Sequence, residues 1–274
     1  MAEQAVERSP WVLFRLNNQI LAIPTDKTRE MITIPEVTPI PRAPEFVRGV
    51  INLRGSVIAL LDLRIKLNHK SMAQELEELI GELNKRRDEH TNWIDTLEKT
   101  IQDGEPFTLA RDPHQCTFGK WYDNYKTDNT RLSAVLAEFD QPHKGIHASA
   151  DLVDDLLRKG EKQKAEDLVS RLRTTHYAKM VDVFDDAIHA LKTMSQEIAI
   201  VVEEDGTLLA LAVDGVEAVE PMLDNSMENL PGNMDNGYII TMMGRRSSNK
   251  EPVLIPDLRR IISDSLPVVN EVTE

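Results

Sequence analysis

Phe46-Val-Arg-Gly-Val-Ile-Asn-Leu-Arg-Gly55, followed by Val57-Ile-Ala-Leu-Leu-Asp-Leu63, decides the first part of the fold. Two short apolar runs flank Arg54-Gly55, which is the pattern of two strands joined by a tight turn with an exposed cation. Working upstream, Trp11-Val-Leu-Phe-Arg-Leu16, Ile20-Leu-Ala-Ile-Pro24 and Met31-Ile-Thr-Ile-Pro35 are further short runs. Asn17-Asn18-Gln19 separates the first two as a turn, and Pro35, Pro39, Pro41 and Pro44 forbid a helix and mark an extended connection. Residues 11–67 therefore read as a small sheet or barrel.

Downstream the period changes. Met72, Leu76, Leu79, Leu83, His90, Ile94, Leu97 and Ile101 recur at helical spacing until Gly104, Pro106 and Pro113 interrupt them. A shorter helix is predicted over 129–139, another opening near Pro142 and stopping at Gly160, and a last one over about 161–194. Four main helices with short links read as an antiparallel bundle. From Ile198 the strand pattern returns: Ile198-Ala-Ile-Val-Val-Glu203, a turn at Asp205-Gly206, Leu208-Leu-Ala-Leu-Ala-Val213, then Val216–Glu220, 238–242 and 253–255, with a helical turn near 259–263. Neither β part is long enough for a comfortable core of its own. An even number of antiparallel helices also returns the chain near its point of exit. The expected organisation is one β domain, residues 9–67 and 196–265, interrupted by a helical insertion over 72–195.

Composition narrows the function classes. The 274 residues carry a net charge of -14 and one cysteine. The charge is uneven: +3 over residues 1–70 (10 basic, 7 acidic), -7 over 71–195 and -10 over 196–274. An acidic balance without a basic block argues against nucleic acid as a partner. No apolar run approaches the ~20 residues of a membrane span, and residues 1–10 lack the apolar core of a secretory signal. A single cysteine excludes a disulfide framework and a Cys-rich finger, and points to a reducing cytoplasm. The acidic stretch from Glu217 to Asp235 reads most simply as a solvated loop, and residues 245–250 as another.

Cys116 alone reads as a small buried hydrophobe, and each histidine alone as a satisfied core residue. Together they read differently. His143 and His147 lie four apart on one helix face with Ile146 and Ala150, which is metal-ligand spacing. His90 falls on the buried stripe of the first helix. Burying several imidazoles without partners is costly, and a tetrahedral His3Cys zinc site would satisfy all of them. His176 is the most credible rival ligand, His114 sits close to Cys116, and His69 and His189 read as linker and surface residues. Four protein ligands leave no open position for hydrolytic water. A cysteine-hydrolase dyad needs a free thiolate and one orienting base, which three buried histidines fit less well than a metal. There is no glycine-rich phosphate loop.

His90-Thr-Asn-Trp93, Cys116-Thr-Phe-Gly-Lys-Trp-Tyr122 and His143-Lys-Gly-Ile-His147, in this order, resemble the chemoreceptor zinc-binding (CZB) domain. The resemblance spans roughly residues 72–195. It implies Zn2+ held by His90, Cys116, His143 and His147, with Trp93, Phe118 and Trp121 packed around the site. It also implies sensing of zinc or of oxidants such as hypochlorous acid, and self-association through the bundle. The Phe46–Arg64 region, with Ile40-Pro-Arg-Ala-Pro44 upstream and Ala212-Val-Asp-Gly-Val216 later, resembles the CheW coupling-protein family. That resemblance implies two small β-barrels and no enzymatic activity. It also implies binding to the histidine kinase CheA and to chemoreceptor cytoplasmic tips, with Asn52, Arg54 and Gly55 at the partner contact. The expected fold class is thus α+β multidomain: a CheW-like pair of small β-barrels interrupted by an antiparallel helical bundle. The expected function is a cytoplasmic chemotaxis adaptor with a zinc-bound cysteine sensor and no direct membrane insertion. The alternatives are a coupling scaffold with purely structural zinc or, from another class, a zinc or cysteine hydrolase.

Overall fold

The computed structural model of the chain describes residues 10–127, 129–194, 197–223, 225–230 and 239–265. The chain divides into two compact units, residues 1–72 with 196–274 and residues 73–195. The expected boundaries at residues 9, 195 and 196, the strand residue Tyr238 and the end of the acidic stretch at Asp235 lie outside the described residues.

In the first unit, β1 (Trp11–Leu16) and β2 (Gln19–Pro24) form a hairpin, and β3 (Thr28–Thr33) follows a single turn of 3-10 helix. β4 (Val47–Leu53) and β5 (Ser56–Asp62) pair across Arg54 and Gly55, whose φ values of 51° and 93° make the mirror-image turn that matches strand twist. A short helix α1 (Leu63–Lys66) is capped by Asp62, whose carboxylate accepts from the Ile65 N–H. After the helical segment come β6 (Ile198–Glu204), β7 (Thr207–Val213), β8 (Gly215–Glu220), β9 (Glu228–Asn229), β10 (Ile240–Arg245), β11 (Pro252–Pro256) and a closing helix over Leu258–Ser263.

Strands from both ends of the chain interleave. One sheet has the order β8-β1-β2-β11-β10-β9 and the other β3-β6-β7-β5-β4. β7 lies parallel to β5, Ala59 opposite Leu209 through Asp62 opposite Ala212. Parallel neighbours require a crossover, and the whole helical segment, with β6, is that crossover. Phe14, Leu21, Leu61, Ile200, Leu211 and Ile261, from both sides of the segment, share one buried cluster. The expected small barrels are a partial match. The described strands form two open sheets, and no closed barrel is formed among them. The edge strand β4 is met by a single bridge, Thr38 to Val50, from the proline-rich connection. β8 bears out the strand expected over Val216–Glu220, so the acidic stretch read as a solvated loop from Glu217 begins inside a strand, where Glu217 and Glu220 pair with Arg246.

The second unit is helical. Its helices are α2 (Met72–Asp103), α3 (Thr117–Asn124), α4 (Thr130–Ala137), α5 (Asp140–Arg158), α6 (Lys162–Leu172) and α7 (Ala178–Met194), the last two joined through a π-helical turn, Arg173–Tyr177. The buried face of α2 carries Leu83, His90, Trp93, Ile94, Leu97 and Ile101, as its period predicts. Asn129 caps α4 through the Leu132 N–H. α5 begins two residues before Pro142, which leaves the proline in the first turn, where its missing donor costs nothing. α3 has no counterpart in the sequence reading: it is eight residues long, too short to show a period, and its cap is a cysteine. No helix among the described residues is long and apolar enough to cross a membrane.

Arg64 and Asp214 make a buried two-point ion pair at 2.5 and 2.6 Å, with side chains only 8% and 11% exposed. Asp214 also accepts from the Asn17 N–H at 2.6 Å. It fastens the chain just before the crossover to the chain just after it. Replacing Arg64 by Met strands Asp214 in the interior. The expected loss is about 3–5 kcal/mol in the denaturant-derived stability of the β unit; a loss below about 1 kcal/mol would show that water reaches the carboxylate.

Candidate metal centre

His90 lies on the buried face of α2, and its Nδ1–H donates to the Arg86 carbonyl at 2.8 Å. His147 donates its Nδ1–H to the Ala110 carbonyl at 3.0 Å, and the Trp93 indole N–H takes the same oxygen at 2.7 Å. A carbonyl can only accept, so both rings are held with the proton on Nδ1 and the lone pair on Nε2. Those two Nε2 atoms are buried and have no hydrogen-bond partner. Ala110 itself is held by the next residue, since Arg111 reaches from the loop to Asp151 at 2.7 Å and Asp154 at 2.6 Å on α5.

His143 and His147 share one face of α5, with ring centroids 4.7 Å apart and the His90 ring 5.1 Å from His143. Cys116 caps α3. Its Sγ accepts from the Gly119 N–H at 3.1 Å and stands 3.2 Å from His143 Nε2. Gly119 is required there, because a Cβ would fall 1.8 Å from the Pro113 carbonyl oxygen. One potential ligand atom from each of His90, Cys116, His143 and His147 lies within 4.8 Å of the others. Tetrahedral zinc with Zn–N near ~2.0 Å and Zn–S near ~2.3 Å sets its ligand atoms roughly 3.3–3.5 Å apart, so donors within 4.8 Å of one another, with Sγ already 3.2 Å from His143 Nε2, fit the ion after shifts of about 1 Å.

Electrostatics agree with the donor set. Burial lowers the pKa of all three histidines, to about 2 for His143 and about 4 for His147, and for these two the neighbouring His90 adds to the effect. They are therefore neutral, as ligands must be. Burial raises the Cys116 thiol against the help of the Gly119 and Phe118 N–H groups. A nucleophilic cysteine needs the opposite shift, and His143 so depressed is a poor base.

The remaining residues fall into place around this cluster. Phe118 is fully buried, edge-on to His143 and His90. Trp93 packs against Phe107 and His147, and Trp121 stacks on Tyr125. His176 is not among the four: it sits in the π-helical turn with its ring against Gly145, where a Cβ would lie 2.8 Å from it. His114 is exposed and pairs with Asp123 at 2.8 Å. His69 and His189 are exposed. In the β unit, the Asn52 side chain accepts from the Gly55 N–H at 2.9 Å and so shapes the turn. The Arg54 side chain is 81% exposed and reaches Glu30 at 2.8 Å. The orienting groups had no legible signal: the Arg86 and Ala110 acceptors are backbone atoms, and Glu30 is brought to Arg54 by folding.

Residues 10–86 match the CheW-like domain family and residues 90–153 match the chemoreceptor zinc-binding domain family. The chain is 31% identical over 74 residues to the chemotaxis protein CheW of Klebsiella aerogenes, covering 27% of this chain and 45% of that protein. It is 34% identical over 67 residues to the chemotaxis protein CheW of Thermotoga maritima, covering 24% and 44%. The chain thus spans less than half the length of these curated relatives. The crystal structure of the scaffolding protein TtCheW from Thermoanaerobacter tengcongensis aligns with 14% identity and a TM-score of 0.43, covering 94% of this chain and 90% of that one.

A histidine whose folded pKa is lowered refuses a proton that the unfolded chain accepts below about 6.5. In metal-free protein the stability these residues allow is complete above about pH 6.5. It falls as the pH drops toward 4 for His147 and toward 2 for His143. The expected slope is about 1.4 kcal/mol per pH unit for each histidine. Urea titrations followed by helical circular dichroism between pH 7 and 5 measure it; a flat midpoint would mean the rings are solvated.

Proposed function

We propose that this chain, which carries a CheW-like domain followed by a chemoreceptor zinc-binding domain, is a cytoplasmic chemotaxis adaptor linking chemoreceptors to the histidine kinase CheA. In this reading the interleaved β unit as a whole is the CheW-like part, residues 9–67 and 196–265, and the helical unit over 72–195 is a zinc-responsive insertion. The matches over residues 10–86 and 90–153 support the adaptor role. The observation that carries the metal assignment is the buried cluster of His90, Cys116, His143 and His147 with two Nε2 lone pairs unpartnered. Each such atom costs about 1–3 kcal/mol when left so, which metal binding recovers.

His90, His143 and His147 would bind through Nε2 and Cys116 through Sγ. Bound there, zinc keeps the sulfur as a thiolate at neutral pH and ties α2, α3 and α5 together. The Arg86 and Ala110 carbonyls orient His90 and His147. The Gly119 N–H supports the negative sulfur. A full set of protein donors leaves no position for a reacting water, so the role is sensory or structural and not enzymatic. Oxidation of the Cys116 thiolate would remove the anionic ligand, which links the cue to the fold of the bundle. The exposed Arg54 at the β4–β5 turn, with Asn52 and Gly55 shaping it, is the receptor-facing contact in this reading. The bundle is also the surface through which a homodimer would form.

Protein purified without added metal or a tag is expected to hold about one zinc per chain, lost in Cys116→Ala and His143→Ala. Metal-free wild type would return the histidines to the role of core residues. A sensory site further requires that Cys116→Ser abolish the change in kinase output on oxidant exposure; an unchanged response would leave zinc a purely structural role. Arg54→Glu should weaken receptor binding severalfold while shifting stability by less than about 1 kcal/mol, since the side chain is exposed. Unaltered receptor affinity in a pull-down titration would remove that turn from the interface.

A further inference from the structure

α3 is a helix of eight residues between two irregular segments, too short to hold its own position. Yet its cap carries Cys116, which must stay in register with His90 on α2. Phe118 supplies the apolar part of that docking. The polar part is made by Glu89, the residue before His90, whose carboxylate accepts from the hydroxyl of Thr117, the residue after Cys116. Glu89 is itself held: Arg86 Nη1 donates to both its oxygens at 3.0 and 3.1 Å, and Arg86 Nη2 reaches Glu82 at 2.8 Å. The Arg86 side chain is only 15% exposed, and its backbone carbonyl is the acceptor that orients His90. One turn of α2 therefore does three things. It presents His90, fixes the tautomer of that ring, and grips the turn that presents Cys116.

We infer that Glu89, acting through Thr117 and held by Arg86, is a positioning residue of the metal centre that sets how readily the Cys116 sulfur leaves it. The inference rests on the metal-site reading above and deepens it. The clasp bridges the long helix to the shortest of the ligand-bearing helices, eight residues against 32 and 19. Cys116 is also the only one of the four candidate ligands that is half-buried, while the three histidines are buried. Loss of the Glu89–Thr117 hydrogen bond frees the α3 cap to move away from α2. The three histidines, all on long helices, stay where they are.

The test uses the full chain with Thr117→Val, Thr117→Ser and Glu89→Gln, and Thr91→Val as a control. Thr91, on α2 one residue beyond His90, has its hydroxyl on the Arg87 carbonyl at 3.2 Å and the Tyr177 hydroxyl at 2.6 Å, neither of them on α3. Two rates are read: zinc release from the loaded protein to excess chelator, and alkylation of Cys116 by iodoacetamide in the metal-free protein. Partners that hold ligands in place are typically worth 10–100-fold in metal affinity, so Thr117→Val should release zinc about ten times faster. Metal-free Cys116 should be alkylated severalfold faster in the same variant, Glu89→Gln should fall between it and wild type, and Thr117→Ser should restore both rates. Wild-type rates in Thr117→Val, or an equal acceleration in Thr91→Val, would overturn the inference. If wild type holds no zinc, the metal-site reading fails on that result, and the alkylation rates still decide the clasp.

Discussion

Burying nitrogen lone pairs without partners is the constraint on which the helical unit depends. Two imidazole Nε2 atoms lie in the bundle interior without a hydrogen bond, beside a third imidazole and a thiol. Leaving those lone pairs unpartnered in an apolar core is costly, and a cation that takes all four donors, as proposed above, would remove the cost. Much of the surrounding detail serves to keep the donors aimed. The Ala110 carbonyl orients both Trp93 and His147, and Arg111 ties its loop to α5. Gly119 allows the α3 cap to approach the Pro113 carbonyl so closely that no other residue fits. Phe118 fills the space between the rings.

The β unit depends on a different constraint, the parallel pairing of β5 with β7. Two parallel strands cannot be joined by a hairpin, so the chain must make a long excursion between them. Here the excursion contains a whole helical unit. Its exit follows α1, and it re-enters at β6, whose hydrogen bonds to β3 and β7 place it inside the five-stranded sheet. The Arg64–Asp214 pair then joins the two flanks directly. Both ends of the helical segment are therefore covalently continuous with ordered elements of the β unit.

Much of this was legible in the residues. The strands at Trp11–Leu16 and Ile20–Pro24 (the latter one residue longer in the fold), the hairpins at Arg54-Gly55 and Asp205-Gly206, and the long stripe of α2 followed from apolar period and turn chemistry. His143 and His147 could be placed on one face because a helix of 3.6 residues per turn leaves no other choice. α3 escaped because eight residues carry too little period, and because its cap is a sulfur. The sheet openness escaped because strand count and spacing do not say whether edge strands meet. The strand over Val216–Glu220 followed from its alternation, but the partner of its acids did not, because Arg246 is brought opposite Glu217 and Glu220 only by folding.

The sequence by itself determined the order of strands, helices and strands, the residue types able to bind a soft cation, and the two family motifs. These are local properties, set by spacing along the chain and by the chemistry of single side chains. Only the tertiary structure decided that His90, Cys116, His143 and His147 converge while His176 packs against Gly145 instead. It also decided which ring nitrogens face inward, and that Glu89 grips Thr117. Convergence of residues separated by tens of positions depends on how helices dock, and docking is fixed by packing and by backbone acceptors, neither of which is written in any one stretch of sequence.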